Sequence, residues 1–179
     1  INTDIETQDI DLTIADMVTL GGNEVLITAN VTKNGANPTI NGQAVNFTDS
    51  GTDYLSVISV CFKYNISTDT ISWLKEFYPQ AGQPNYRRYV SSVNSKGLVY
   101  DGSTYAYFIT FINSGSNFLQ YPRFHKVTVS DGTVTELQTD GTHGSWAIHS
   151  NQCSLLLYDG KLYVQTFYSG YIQTFGVVQ

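Results

Sequence analysis

The chain has 179 residues, 41% of them hydrophobic and 13% aromatic, enough to bury the core of a single domain. Charged residues make up 13%, about half the share usual in a soluble domain, and the formal net charge is −6. That balance argues against a nucleic-acid role, since phosphate binding needs a basic face, and no nucleic-acid partner is expected. No apolar run reaches the length of a membrane span, so no membrane insertion is expected either.

Solubility carried by Ser, Thr, Asn and Gly rather than Lys and Glu fits an extracellular, cell-surface or virion protein. The chain opens without a signal peptide or an initiator Met, which fits a processed chain or a piece of a longer one. Cys61 and Cys153 are too sparse for a disulfide framework, and the sequence leaves open one bridge or two free thiols. Without a Cys-x-x-Cys pair, no zinc site built on cysteine is expected.

In chain order, Ile10, Leu12 and Ile14 alternate with polar residues, the period of a half-buried strand, in a segment holding five acids and no base before residue 17. Met17–Leu20, the Gly21-Gly22-Asn23 turn and Glu24–Val31 predict a hairpin. A loop follows over Lys33–Gly42. Phe47–Tyr54 leads into Leu55–Phe62, whose continuous apolar character predicts a strand buried on both faces. An outer hairpin turns at Ser67–Thr70. Tyr78–Ser92 reads as a connector, and Asn113–Pro122 as an insertion. Asp-Gly pairs at 101–102, 131–132 and 159–160 predict type I′ turns, which need positive φ at both central positions. No segment has a capped 3.6-residue period, so no long helix is expected.

Two patterns recur. Val99–Tyr105 aligns without a gap on Leu157–Tyr163, matching Tyr105 to Tyr163, and Phe47–Tyr54 repeats the same turn with one extra residue. Lys63–Leu74 aligns without a gap on Lys126–Leu137. Two successive hairpins, repeated, predict an all-β fold of antiparallel four-stranded units over about 17–42, 44–77, 93–139 and 153–179. The segments Tyr158–Val164 and Tyr100–Phe108 resemble the inner part of a β-propeller blade of the kelch or quinoprotein-like type, without the double-Gly and Trp positions of true kelch repeats. The resemblance implies a ring of blades in one domain; a β-sandwich built from the same hairpins is the alternative. The last unit lacks a fourth strand, so the N-terminal strand at 8–15 is expected to complete it. It does so within the chain, or between copies by strand addition, the route to a homo-oligomer or a self-assembling fibre subunit.

Chemistry-bearing residues are few. No nucleophile-elbow, zincin or P-loop pattern occurs. Glu24, Glu76 and Glu136 are the acids least explained by turns, and nothing in the sequence pairs them. His143 and His149, six apart around Trp146, would stand roughly 20 Å apart on a strand, and His125 is remote, so neither a metal nor a cofactor is expected. Asn30, Asn46 and Asn65 begin sequons for glycosylation. The chain has only three arginines. Arg87 and Arg88 lie between Tyr86 and Tyr89, and Arg123 follows Tyr121. Arg and Tyr are the types enriched at binding hot spots, so these six residues and Trp146 form the expected ligand-binding set. The composition fits a non-enzymatic module that binds a glycan or a cell-surface receptor, of phage tail-fibre or adhesin type. A propeller-type glycan hydrolase or lyase is the enzyme alternative.

Overall fold

The computed structural model describes residues 9–34, 39–47, 57–77, 86–90, 97–114, 120–137, 153–168 and 171–178. Among these residues there are strands and turns and no helix. The strands are β1 (Asp9–Gly21), β2 (Glu24–Asn34), β3 (Thr39–Ile40), β4 (Gln43–Ala44), β5 (Val57–Asn65), β6 (Thr70–Phe77) and β7 (Tyr86–Val90). They continue as β8 (Leu98–Tyr100), β9 (Tyr105–Ser114), β10 (Gln120–Thr128), β11 (Val134–Leu137), β12 (Cys153–Tyr158), β13 (Lys161–Tyr168) and β14 (Tyr171–Val178).

Every pairing is antiparallel. The first sheet has the order β1-β2-β5-β6, the second β11-β10-β9-β7 and the third β12-β13-β14, while β3 and β4 form a separate hairpin. One edge of β9 is shared: its first half pairs with β8 and its second half with β7.

Three apolar clusters stack these layers. Val25, Ile27, Ala29 and Val31 of β2 face one way with Ile58, Val60 and Phe62 of β5, and Ile40, Val45 and Phe47 around the β3–β4 hairpin cover them. The opposite face of the same strands, with Leu26, Cys61, Trp73 and Phe77, packs on Leu98, Ala106, Phe108, Val127 and Val129 of the second sheet. The far face of the second sheet, with Ile109, Phe111, Phe124 and Leu137, packs on Leu155, Leu162 and Val164 of the third. β2 and β5 are therefore buried on both faces, which is why they read as near-continuous apolar runs.

Specific polar contacts join the layers. The Trp73 indole N–H donates to the Val129 carbonyl at 3.0 Å. Gly132, with φ +73, packs directly against that indole. Asp16 Oδ2 accepts the Leu98 amide at 3.0 Å. Between the rims of neighbouring hairpins one backbone bond occurs in both larger sheets: Ile66 N–H to the Asn23 carbonyl at 2.8 Å, and Val129 N–H to the Thr104 carbonyl at 2.9 Å.

Several expectations are corrected. The N-terminal strand is not without a local partner: β1 pairs with β2 from Asp9 to Gly21, and among the described residues the third sheet holds β12, β13 and β14. A bulge between Ile14 and Asp16 swaps its faces, so Leu12 packs with the first cluster and Val18 and Leu20 with the second. The partners of β5 are β2 and β6, and residues 45–47 belong with the β3–β4 hairpin. The first unit is thus built from β1, β2, β5 and β6, with β3 and β4 inserted. The remainder of the Phe47–Tyr54 turn lies outside the described residues.

The connector holds a strand, β7, and the insertion at 113–122 holds the ends of β9 and β10. Of the three Asp-Gly pairs only Asp159-Gly160 has positive φ at both residues, 48° and 68°, as type I′ requires. At Asp101 and Asp131 the carboxylate caps a longer loop instead. Tyr105 opens β9 after such a loop, whereas Tyr163 is the third residue of β13, so the gapless match between them is not kept by the register. Cys61 is a free, fully buried thiol whose ionisation burial opposes. No closed ring or barrel is present among the described residues.

Candidate functional site

The arginine–tyrosine segments, distant in sequence, meet on either side of β9. Arg88 of β7 and Tyr121 of β10 are both level with Ile112; Val90 and Arg123 are both level with Thr110. Arg87 pairs with Asn113 and Tyr89 with Phe111. Six of the seven residues of the expected set therefore lie in one sheet. Arg123 is exposed and its Nε lies 3.6 Å from Glu136 Oε1. Trp146, His143 and His149 lie outside the described residues.

A second group gathers at the opposite end of β9, beside the Asp101–Thr104 loop. Across the sheet, Val99, Tyr107, Lys126 and Thr135 stand in one row, and Tyr105 and Thr128 in the next. Tyr105, Tyr107, Lys126 and Thr128 are half-buried and Thr135 is exposed. The Lys126 ammonium lies 4.0 Å from the centre of the Tyr105 ring. Val99 and Tyr107 border the third apolar cluster, so the rim of the third sheet closes one side of this facet. Partial burial, then the charge of Asp101 and then Tyr105 push the Tyr107 phenol up. Sequence reasoning missed this facet. Its signal was present, since Tyr105-Ala106-Tyr107 alternates in a strand, but placing Lys126 opposite Tyr107 needs the register.

Beneath the sheets, His125 is buried, with Nε2 2.9 Å from Thr110 Oγ1 and its ring against Phe77 and Phe108, both at 4.9 Å. The three acids singled out in the sequence each have a partner. Glu24 Oε2 meets Lys63 Nζ at 2.9 Å, Glu76 Oε1 accepts the Asn46 amide at 3.3 Å, and Glu136 faces Arg123. No three His, Cys, Asp or Glu gather as metal ligands among the described residues.

The sequon asparagines differ in use. Asn30 is buried and its Oδ1 receives the Ser59 hydroxyl at 3.4 Å, a position without room for a glycan. Asn65 Oδ1 caps its turn, accepting the Ser67 and Thr68 amides at 3.0 and 3.1 Å. Asn46 is exposed.

Comparison with protein-family models, with curated proteins and with solved structures returned no match.

Proposed function

We propose that this chain is a non-enzymatic recognition module of an extracellular, cell-surface or virion protein, binding a glycan or a protein receptor. The observation that carries the reading is the position of β7 and β10 on either side of β9, which brings Tyr86–Tyr89 and Tyr121–Arg123 into one sheet. β10 has a neighbour on each side, so the exposed Arg123 is held with little ordering cost on binding. Turns and loops with Asn, Ser, Thr and Gly in place of Lys and Glu keep the surface polar without a strong field.

The finer reading of the fold is blade-like. A four-stranded and a five-stranded antiparallel sheet stacked face to face, with the same rim bond at Ile66 and Val129, support a repeat that continues into the three strands β12–β14.

The test is binding to candidate host cells by the intact chain and by the Arg87→Ala, Tyr89→Ala double variant. The proposal predicts lost or strongly weakened cell binding at an unchanged melting temperature. Undiminished binding overturns the assignment of Arg87 and Tyr89.

A further inference from the structure

We propose that the half-exposed facet of the second sheet formed by Tyr105, Tyr107, Lys126, Thr128 and Thr135 is the binding platform for a neutral, hydroxyl-rich glycan. This rests on the recognition reading above and names the ligand class and the place.

The first sheet supplies the comparison. There Leu26 stands opposite Lys63, as Tyr107 stands opposite Lys126; Glu24 and Tyr105 each lie two residues earlier, opposite Asn65 and Thr128. In the first sheet these positions are used internally: Leu26 is fully buried and Glu24 neutralises Lys63 at 2.9 Å. In the second sheet both are tyrosines, neither is fully buried, and the lysine lies over a ring instead of beside a carboxylate. A ring face attracts an ammonium but, unlike a carboxylate, does not cancel its charge. The same lattice positions therefore build an ion pair and core in one sheet and a half-exposed group at the rim of the third cluster in the other.

The chemistry of that group suits a sugar. Tyrosine rings offer apolar faces to the C–H side of a pyranose. The ammonium and the hydroxyls of Tyr105, Tyr107, Thr128 and Thr135 supply donors and acceptors for its hydroxyls. Tyr105 and Tyr107 are two residues apart on one strand, so their Cα atoms are separated by about 6.8 Å along the sheet. β9 and β10 are inner strands, so the platform is formed before the ligand arrives. Charge selects among glycans. The chain's charge of −6 and the Asp101 carboxylate acting on Tyr107 offset the single ammonium of Lys126, so the facet offers no net positive charge to select a polyanionic sugar over a neutral one. The Arg87–Tyr89 segment is level with Phe111 and Asn113, roughly 20 Å further along β9. An isolated oligosaccharide therefore reads the facet alone, while a whole cell reads both.

The test is an array of neutral and acidic oligosaccharides probed with the intact chain and four variants. Tyr105→Glu copies the Glu24–Lys63 pair, so it keeps the fold; it and Tyr107→Ser are expected to weaken neutral-glycan binding roughly tenfold or more. Tyr105→Phe keeps the ring and is expected to bind, and Met17→Ser, at an exposed position of β1 in the first sheet, is expected to bind isolated glycans like the parent. Retained binding in Tyr105→Glu, or binding of acidic glycans only, overturns the proposal. Cell binding by a chain that retains no glycan also overturns it, while leaving a protein receptor standing. Absence of both overturns the recognition reading itself.

Discussion

Gly132 and Gly160 both adopt positive φ, +73 and +68, yet their surroundings differ. A Cβ at Gly132 would lie 2.6 Å from Cδ2 of Trp73, whereas one at Gly160 meets nothing within 4 Å. Gly160→Ala is therefore expected to cost only the left-handed backbone, about 1–2 kcal/mol. Gly132→Ala adds overpacking against a buried indole, roughly 1–3 kcal/mol more. Urea midpoints of the two variants measure the difference, and equal midpoints would mean that the β10–β11 turn does not seat on Trp73. Three turn carboxylates are also held below the usual range. For Asp69 the Tyr64 hydroxyl is the main cause, followed by Asn41. For Asp131 it is the Thr133 amide. At Asp101 partial burial pulls upward, but the amides of Ser103, Tyr105 and Thr104 outweigh it. A carboxylate whose folded pKa lies below its unfolded value of about 3.9 stabilises fully above that value and loses the contribution as pH falls through the folded pKa. Stability is thus expected to fall below about pH 4, with a shallower acid limb when all three are replaced by Asn. An identical acid limb in that variant, followed by circular dichroism, would contradict the account. The Asp-Gly turns were legible in the sequence as turns. Their type was not, because a carboxylate that caps its own loop leaves no sign in residue order.

Among the elements, β2 and β5 were readable from composition and β1 was not. Its apolar residues at 10, 12, 14, 18 and 20 share one parity, but the bulge after Ile14 leaves Leu12 with the first cluster and sends Val18 and Leu20 to the second. One bulged strand thus reads as a lone strand followed by a hairpin, and that suggested a spare strand for the C-terminal sheet. The β3–β4 hairpin was hidden for a different reason: two two-residue strands are too short to carry a period. Its docking is nevertheless part of the core. Ile40 is fully buried, and Asn41 Nδ2 donates to the carbonyl and the carboxylate of Asp69 at 2.6 and 3.0 Å. Ile40→Ala is expected to destabilise the whole chain by about 2–5 kcal/mol in a single transition. A loss under about 1 kcal/mol, the range of a surface change, would show the hairpin to be an appendage.

For the whole molecule, the all-β class and antiparallel pairing followed from hairpin grammar, while the stacking of sheets depended on long-range register. The same division applies to the site. Arg87, Arg88 and Tyr89 stood out because arginine is rare in this chain, but their place in one sheet with Tyr121 and Arg123 emerged only with the pairing to β9. Tyr105, Tyr107 and Lys126 looked like ordinary strand residues until the first sheet showed what the same positions do when they serve packing alone. The central claim is recognition without catalysis, and one measurement addresses it directly: the intact chain is mixed with a panel of polysaccharides, and retention and new reducing ends are read from the same samples. The account predicts saturable retention by a neutral polysaccharide with no rise in reducing ends over time. Reducing ends that accumulate, and cease to do so in Glu76→Gln or Glu136→Gln, would contradict it.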